Sequence, residues 1–218
     1  LKKYMCGIAG FLKLRNQNKV SIDDLKKMIS KLSHRGPDFE DCWQEDNVYL
    51  AHSRLSIIDI SKKGHQPMAS HSGRYVITFN GEIYNFNLMK IKLQKEKRNI
   101  KWRGTSDTEV FLECIEHWGF EKALKMSRGM FAFSVWDKKN KNLTIARDRI
   151  GEKPLYYGKI DEKFVFSSEL KSIKSVFKSN LTYSKNAMNM MLRYGYISAP
   201  LTIYKEVFKL QPGSLLTI

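Results

Sequence analysis

The chain has 218 residues, 42% of them apolar and 28% charged, enough to bury a core and too hydrophobic for a disordered tail. Its 38 basic and 22 acidic side chains give a net charge of +16, which raises a polyanion-binding reading, yet the lysines are scattered and no block of five like charges occurs. Cys6, Cys42 and Cys114 are odd in number and lack C-x-x-C spacing, which argues against a disulfide scaffold or a zinc site and for a reducing compartment.

In chain order, the short apolar run 7–14 reads as a buried strand. Ser21 with Asp24 forms a capping box, and Ile22, Leu25, Met28, Ile29 and Leu32 follow at helical spacing until the Arg35-Gly36-Pro37 breaker. Segments 48–51, 55–60 and 75–79 read as strands, the last closed by an Asn80-Gly81 turn. Segment 85–97 reads as a basic surface helix. A second capping box, Ser106 with Glu109, opens a helix whose apolar face is Val110, Phe111, Cys114, Ile115 and Trp118 and which ends at Gly119. Strands follow at 131–136, 143–146, 155–157 and 164–166, then a helix at 187–194. Strands cluster between groups of helices, which predicts an α+β domain with two layers of sheet. G-x-G-x-x-G and G-x-x-x-x-G-K-[ST] are absent, so no nucleotide site is predicted in this chain.

Cys6 is the informative residue because it follows Met5. Removal of that methionine would leave a cysteine whose own α-amine stands beside its thiol. With pKa values of about 7.7–8.0 and about 8.5, both groups are poised near neutrality, and the amine can take the thiol proton. From the residues alone a cysteine heading an apolar strand is more often a small core hydrophobe. Arg54 reads as a surface cation or an ion-pair member, Asn80-Gly81 as a hairpin turn, and Asp107 as a favourable first-turn acid. His52, His65, His71 and His117 have no metal-ligand spacing, and no metal site is predicted. Apolar runs fall short of the roughly 20 residues of a membrane span, and the first residues lack the apolar stretch of a signal peptide. The chain therefore reads as soluble and cytoplasmic.

Ordered motifs add a second layer. Met5-Cys6-Gly7-Ile8-Ala9-Gly10, His34-Arg35-Gly36-Pro37-Asp38, Arg54-Leu55-Ser56-Ile57-Ile58-Asp59 and Asn80-Gly81-Glu82-Ile83-Tyr84-Asn85 occur in that order. Gly104-Thr105-Ser106-Asp107, Arg147-Asp148-Arg149-Ile150-Gly151-Glu152-Lys153-Pro154 and Leu210-Gln211-Pro212-Gly213 follow. This series resembles the class II glutamine amidotransferase family of N-terminal-nucleophile hydrolases, and within it the glutaminase half of glutamine-hydrolysing asparagine synthetases.

The resemblance implies a four-layer αββα sandwich of two mainly antiparallel sheets. It makes Cys6 the nucleophile, with Asn80 and Gly81 as the oxyanion donors. Arg54 becomes the clamp on the substrate α-carboxylate, a task suited to a two-pronged guanidinium. Leu55, Ile57, Glu82 and Asp107 complete the substrate-binding set, Asp107 as the partner of the α-ammonium. Arg35 and Asp38 are expected to shape a loop, and Arg147, Asp148 and Arg149 to form a buried ionic network. Cys42 and Cys114 are expected to be inert.

Residues 6–218 are expected to be the glutaminase domain, and residues 1–5 a misplaced-start extension, a cloning remnant or a short propeptide. The expected partners are L-glutamine and a synthetase domain that receives ammonia, with aspartate or another carboxylate as acceptor. ATP and Mg²⁺ are expected only in that synthetase domain, and no cofactor in this chain. A homodimer is a further expectation; membrane and nucleic-acid partners are not expected. The rival reading is a non-catalytic basic module, either a degenerate glutaminase fold or a nucleic-acid binder with steep salt dependence.

Overall fold

A computed structural model describes residues 5–15, 20–97 and 100–218. The expected leader therefore lies, apart from Met5, outside the described residues. In chain order the elements are β1 (Gly7–Lys13), α1 (Ile22–Ser30), β2 (Phe39–Glu45), β3 (Val48–Arg54), β4 (Met68–Ala69), β5 (Tyr75–Ile83), α2 (Phe86–Glu96) and α3 (Asp107–Met126). Then come β6 (Gly129–Asp137), β7 (Asn142–Arg147), β8 (Tyr156–Ile160), β9 (Lys163–Ser167), α4 (Leu170–Phe177), α5 (Lys185–Tyr194), β10 (Val207–Lys209) and β11 (Leu215–Thr217).

The strands form two antiparallel sheets, ordered β10-β8-β9-β1-β3-β2 and β11-β7-β6-β5-β4. Side-chain alternation explains their stacking. On β1, Ile8 and Leu12 face the other sheet and pack with Val76, Ala132, Trp136 and Ile145. The intervening Ala9 and Phe11 turn outward onto Leu25 and Met28 of α1 and Ile173 of α4. On β5, Ile77 and Phe79 likewise face Val110, Phe111 and Ile115 of α3. Both faces of each sheet are thus covered, and the αββα expectation holds. Among the described residues no helix is long and apolar enough to cross a membrane.

Local expectations hold unevenly. The first capping box forms, with Ser21 N–H donating to Asp24 Oδ2 at 3.1 Å. The second forms by half: Ser106 Oγ accepts from Glu109 N–H at 3.1 Å, but the Glu109 carboxylate turns to Arg103, Gly104 and His71 instead. Gly119 does break α3, with φ of 78°, yet helical residues resume and run to Met126.

Two corrections bear on the site. Segment 55–60 is not a strand but an irregular loop, because the Arg54 guanidinium folds it back by binding its carbonyls: Nη1 donates to Ser61 O at 2.9 Å, and Nη2 to Asp59 O. Asn80-Gly81 is not a turn either. Both residues lie inside β5, opposite Ala132 and Phe131 of β6, and pairing continues to Ile83. Gly81 is glycine for close approach rather than chain reversal, since a Cβ there would collide with Met130 O and sit 2.6 Å from Phe131 Cα.

Candidate active site

Cys6 stands just before β1, whose neighbour β3 ends at Arg54, and β5 of the facing sheet carries Asn80 and Gly81. These segments converge on a cavity of about 430 Å³, within the roughly 300–1,000 Å³ usual for small-molecule sites. Of the eight residues expected at the site, seven line it: Cys6, Arg54, Leu55, Ile57, Asn80, Gly81 and Glu82. Asp107 is not among the lining residues, although its neighbours Ser106 and Thr108 are.

The cysteine is held on both sides. Its Sγ accepts from Leu55 N–H at 3.3 Å and lies 3.6 Å from Leu55 O. Arg35 Nε donates to the Cys6 carbonyl at 3.0 Å, while Arg35 Nη1 pairs with Glu169 at 2.9 Å. Arg35 is thus structural, as expected, but it shapes the backbone of Cys6 itself. Asp38 likewise accepts from Ser56 N–H at 2.7 Å and fixes the loop that follows Arg54. Burial pushes the Cys6 thiol up, and the Leu55 N–H, Arg54 and Lys153 pull it back.

The surroundings of Asn80 and Gly81 follow from the pairing of β5. Asn80 is 1% exposed and its Nδ2 is buried with no hydrogen-bond partner. Such an orphan donor is costly in a fold unless a ligand completes it. Strand alternation turns the N–H groups of Phe79, Gly81 and Ile83 to the edge away from β6. Phe79 N–H is taken by Gln66 Oε1 at 2.6 Å and Ile83 N–H by Asp107 Oδ2 at 2.8 Å. Gly81 N–H remains between them, facing the cavity wall beside the Asn80 amide. The unpartnered Asn80 amide and Gly81 thus lie side by side in the lining of one cavity.

Arg54 spends two of its five N–H donors on Asp59 and Ser61 carbonyls, leaving three for a ligand. The carboxylate of Asp107 also accepts from its own Thr108 neighbour's N–H at 2.8 Å. Its burial, with Glu82 adding repulsion against the opposing N–H bonds, raises it to about 6. His52 is a core histidine that bridges the sheets, with Nε2 3.0 Å from Phe79 O, and burial lowers it to about 3.

The family described as "Glutamine amidotransferase domain" matches residues 5–218. The chain belongs to that family. It is 36% identical over 216 residues to "Asparagine synthetase [glutamine-hydrolyzing] 1" of Bacillus subtilis, covering 98% of this chain and 33% of the relative. A second Bacillus subtilis relative, "Asparagine synthetase [glutamine-hydrolyzing] 3", is also 36% identical, with coverage of 98% and 34%. The chain thus spans about a third of the length of these two relatives. The solved glutamine phosphoribosylpyrophosphate amidotransferase of B. subtilis superposes with a TM-score of 0.71 at 18% identity, over 98% of this chain and 47% of that one. That likeness establishes the shared fold.

Some residues of this amidotransferase domain's site escaped the sequence reading. Glu152 and Lys153 line the cavity, next to Arg147, Asp148 and Arg149, which were expected to form a buried ionic network. Instead Asp148 binds backbone: Oδ1 accepts from the N–H groups of Ile150, Gly151 and Glu152, and Oδ2 from Lys153 and Phe131. Arg147 similarly donates to the carbonyls of Gly151, Lys153 and Leu210. An aspartate followed by a glycine-containing loop was the available signal for an Asx-type anchor. Gln66 also went unread, because nothing local marks a loop glutamine as the partner of Phe79.

Proposed function

We propose that this domain hydrolyses L-glutamine to glutamate and ammonia and passes the ammonia to a synthetase domain. The observation that carries the reading is the buried, unpartnered Asn80 Nδ2 in the same cavity wall as Gly81 and across from Cys6. A basic nucleic-acid binder has no use for an orphan donor kept dry beside a thiol, so the polyanion reading is not favoured.

In the proposed reaction the Cys6 Sγ–carbon bond forms at the side-chain amide while the thiol proton passes to the Cys6 α-amine. The amide oxygen becomes an oxyanion held by Asn80 Nδ2 and Gly81 N–H. The amine then returns its proton to the departing nitrogen, ammonia leaves, and a γ-glutamyl thioester remains. Water breaks the thioester and releases glutamate. Arg54 grips the α-carboxylate, with Leu55 and Ile57 flanking it, and Asp107 with Glu82 supplies negative charge for the α-ammonium.

This chemistry needs Cys6 at the amino terminus, since a peptide nitrogen has no basic lone pair. Among the described residues no group of three or more His, Cys, Asp or Glu is arranged to hold a metal ion. ATP and Mg²⁺ belong, in this proposal, to the synthetase that activates the acceptor carboxylate, with aspartate the first acceptor to test. Ammonia release from glutamine by the wild type and by Cys6→Ala tests the reading. The variant should release none; turnover by Cys6→Ala would overturn it.

A further inference from the structure

Lys153 is 6% exposed, and a lysine so buried is ordinarily paired. Here, among the described residues, no carboxylate lies within ion-pair distance of Nζ; its hydrogen-bond partner is the thioether of Met5, at 3.1 Å. The side chain is aimed by a rigid loop. Asp148 Oδ2 holds the Lys153 N–H at 3.0 Å, and Arg147 Nε holds its carbonyl at 2.7 Å. The other cations near Cys6 are already engaged: Arg35 by Glu169, and Arg54 by two loop carbonyls. Of the acids nearby, Asp107 is bound to backbone N–H groups, and Asp148 to its own loop. Glu152 lines the cavity without an ion pair to Lys153. An uncompensated positive charge is therefore built into the wall where Met5 joins Cys6.

We propose that Lys153 is a positioning residue for the proton chemistry of Cys6, its ammonium keeping the freed α-amine neutral and basic and favouring the thiolate. The inference rests on the proposed glutaminase chemistry and adds a residue to it. Removal of Met5 takes away the thioether partner of Nζ at the junction where the new amine is created. A like charge within a few ångströms disfavours a second ammonium by about 1–3 pH units, and the same charge favours the adjacent thiolate. Arg35 and Arg54 act in the same sense with their charge partly spent; Asp107, Glu82 and Glu152 oppose. Burial, with Arg35 acting in the same sense, lowers the lysine's own affinity for a proton, and Glu152, Cys6 and Asp148 offset this only in part.

The test uses protein with Cys6 at its amino terminus and the variants Lys153→Met and Lys153→Arg. Replacing a buried unpaired ammonium by an isosteric apolar chain leaves folding intact or improved, checked by thermal melting. Two profiles are read against pH: kcat/KM for glutamine, and the rate of Cys6 alkylation by iodoacetamide quantified on the Cys6 peptide. In Lys153→Met both acid limbs should move up by about one pH unit, a roughly tenfold loss below the limb, with the alkaline plateau within about twofold. Lys153→Arg should restore both. Limbs that stay in place in folded Lys153→Met overturn the inference, as does failure of arginine to rescue them. If Lys153→Met fails to fold, Lys153→Gln must give the same shift or the inference falls. Retained turnover in Cys6→Ala would instead remove the glutaminase reading, a result no Lys153 variant can mimic.

Discussion

In the proposed reaction Asn80 and Arg54 act on different parts of the substrate, so their variants should separate in kinetics. Asn80 Nδ2 is unpaired until an oxyanion forms, so Asn80→Ala should lower kcat by about 10²–10³ and leave KM for glutamine nearly unchanged. Steady-state ammonia release checks this, and a pure KM defect would remove the donor role. Arg54→Lys should raise KM at least about tenfold, because an ammonium cannot hold a carboxylate with two prongs and two loop carbonyls at once. An unchanged KM would take Arg54 out of the site. If Asp107 faces the α-ammonium as proposed, it sets the acid side of binding. With its carboxyl raised to about 6 in the free protein, it is neutral below that pH and charged above it. Glutamine KM should therefore rise as pH falls through about 6, since the neutral acid cannot face an ammonium, and Asp107→Asn should show the high KM at every pH. The measurement is KM across pH 5 to 8 for both proteins.

At the scale of elements, legibility followed periodicity. The strands 7–14 and 131–136 and the helices opening at Ser21 and Ser106 were readable because their apolar positions repeat at strand or helix spacing. The failures came where a side chain from elsewhere decided the backbone. The apolar run 55–60 reads locally as a strand, but Arg54 ties it into a loop and leaves Ile57 68% exposed. Asn80-Gly81 carries the strongest short hairpin signal, yet the pairing partner is β6, reached only after two helices. β2 was missed because its FEDCWQE sequence is half polar, as suits an edge strand. The site residues were legible as a motif series, whereas Lys153 needed the Asp148 loop to be seen in space. That loop gives an element-scale prediction. Asp148 satisfies five backbone N–H groups, so Asp148→Ala should cost about 2–4 kcal/mol in urea unfolding and reduce turnover through Lys153. A loss below about 1 kcal/mol would mean that water replaces the carboxylate without penalty.

At the scale of the molecule, two sheets packed face to face bring three distant strand ends to one cavity, and His52 pins them where the donors lie by bonding Phe79 of the opposite sheet. The chain spans about a third of the length of the two Bacillus relatives, and the proposed destination of its ammonia is the activity those relatives' names describe. The proposed step nearest the chemistry is the opening of the glutamine amide by Cys6 with its own α-amine as base. Mass spectrometry of the amino terminus, paired with ammonia release from glutamine, tests it on two preparations, one retaining Leu1 to Met5 and one beginning at Cys6. The account predicts rapid release and a γ-glutamyl adduct on Cys6 only in the second. Full activity with Leu1 to Met5 still attached would contradict it, because the Cys6 nitrogen would then be a peptide amide with no basic lone pair to take the thiol proton.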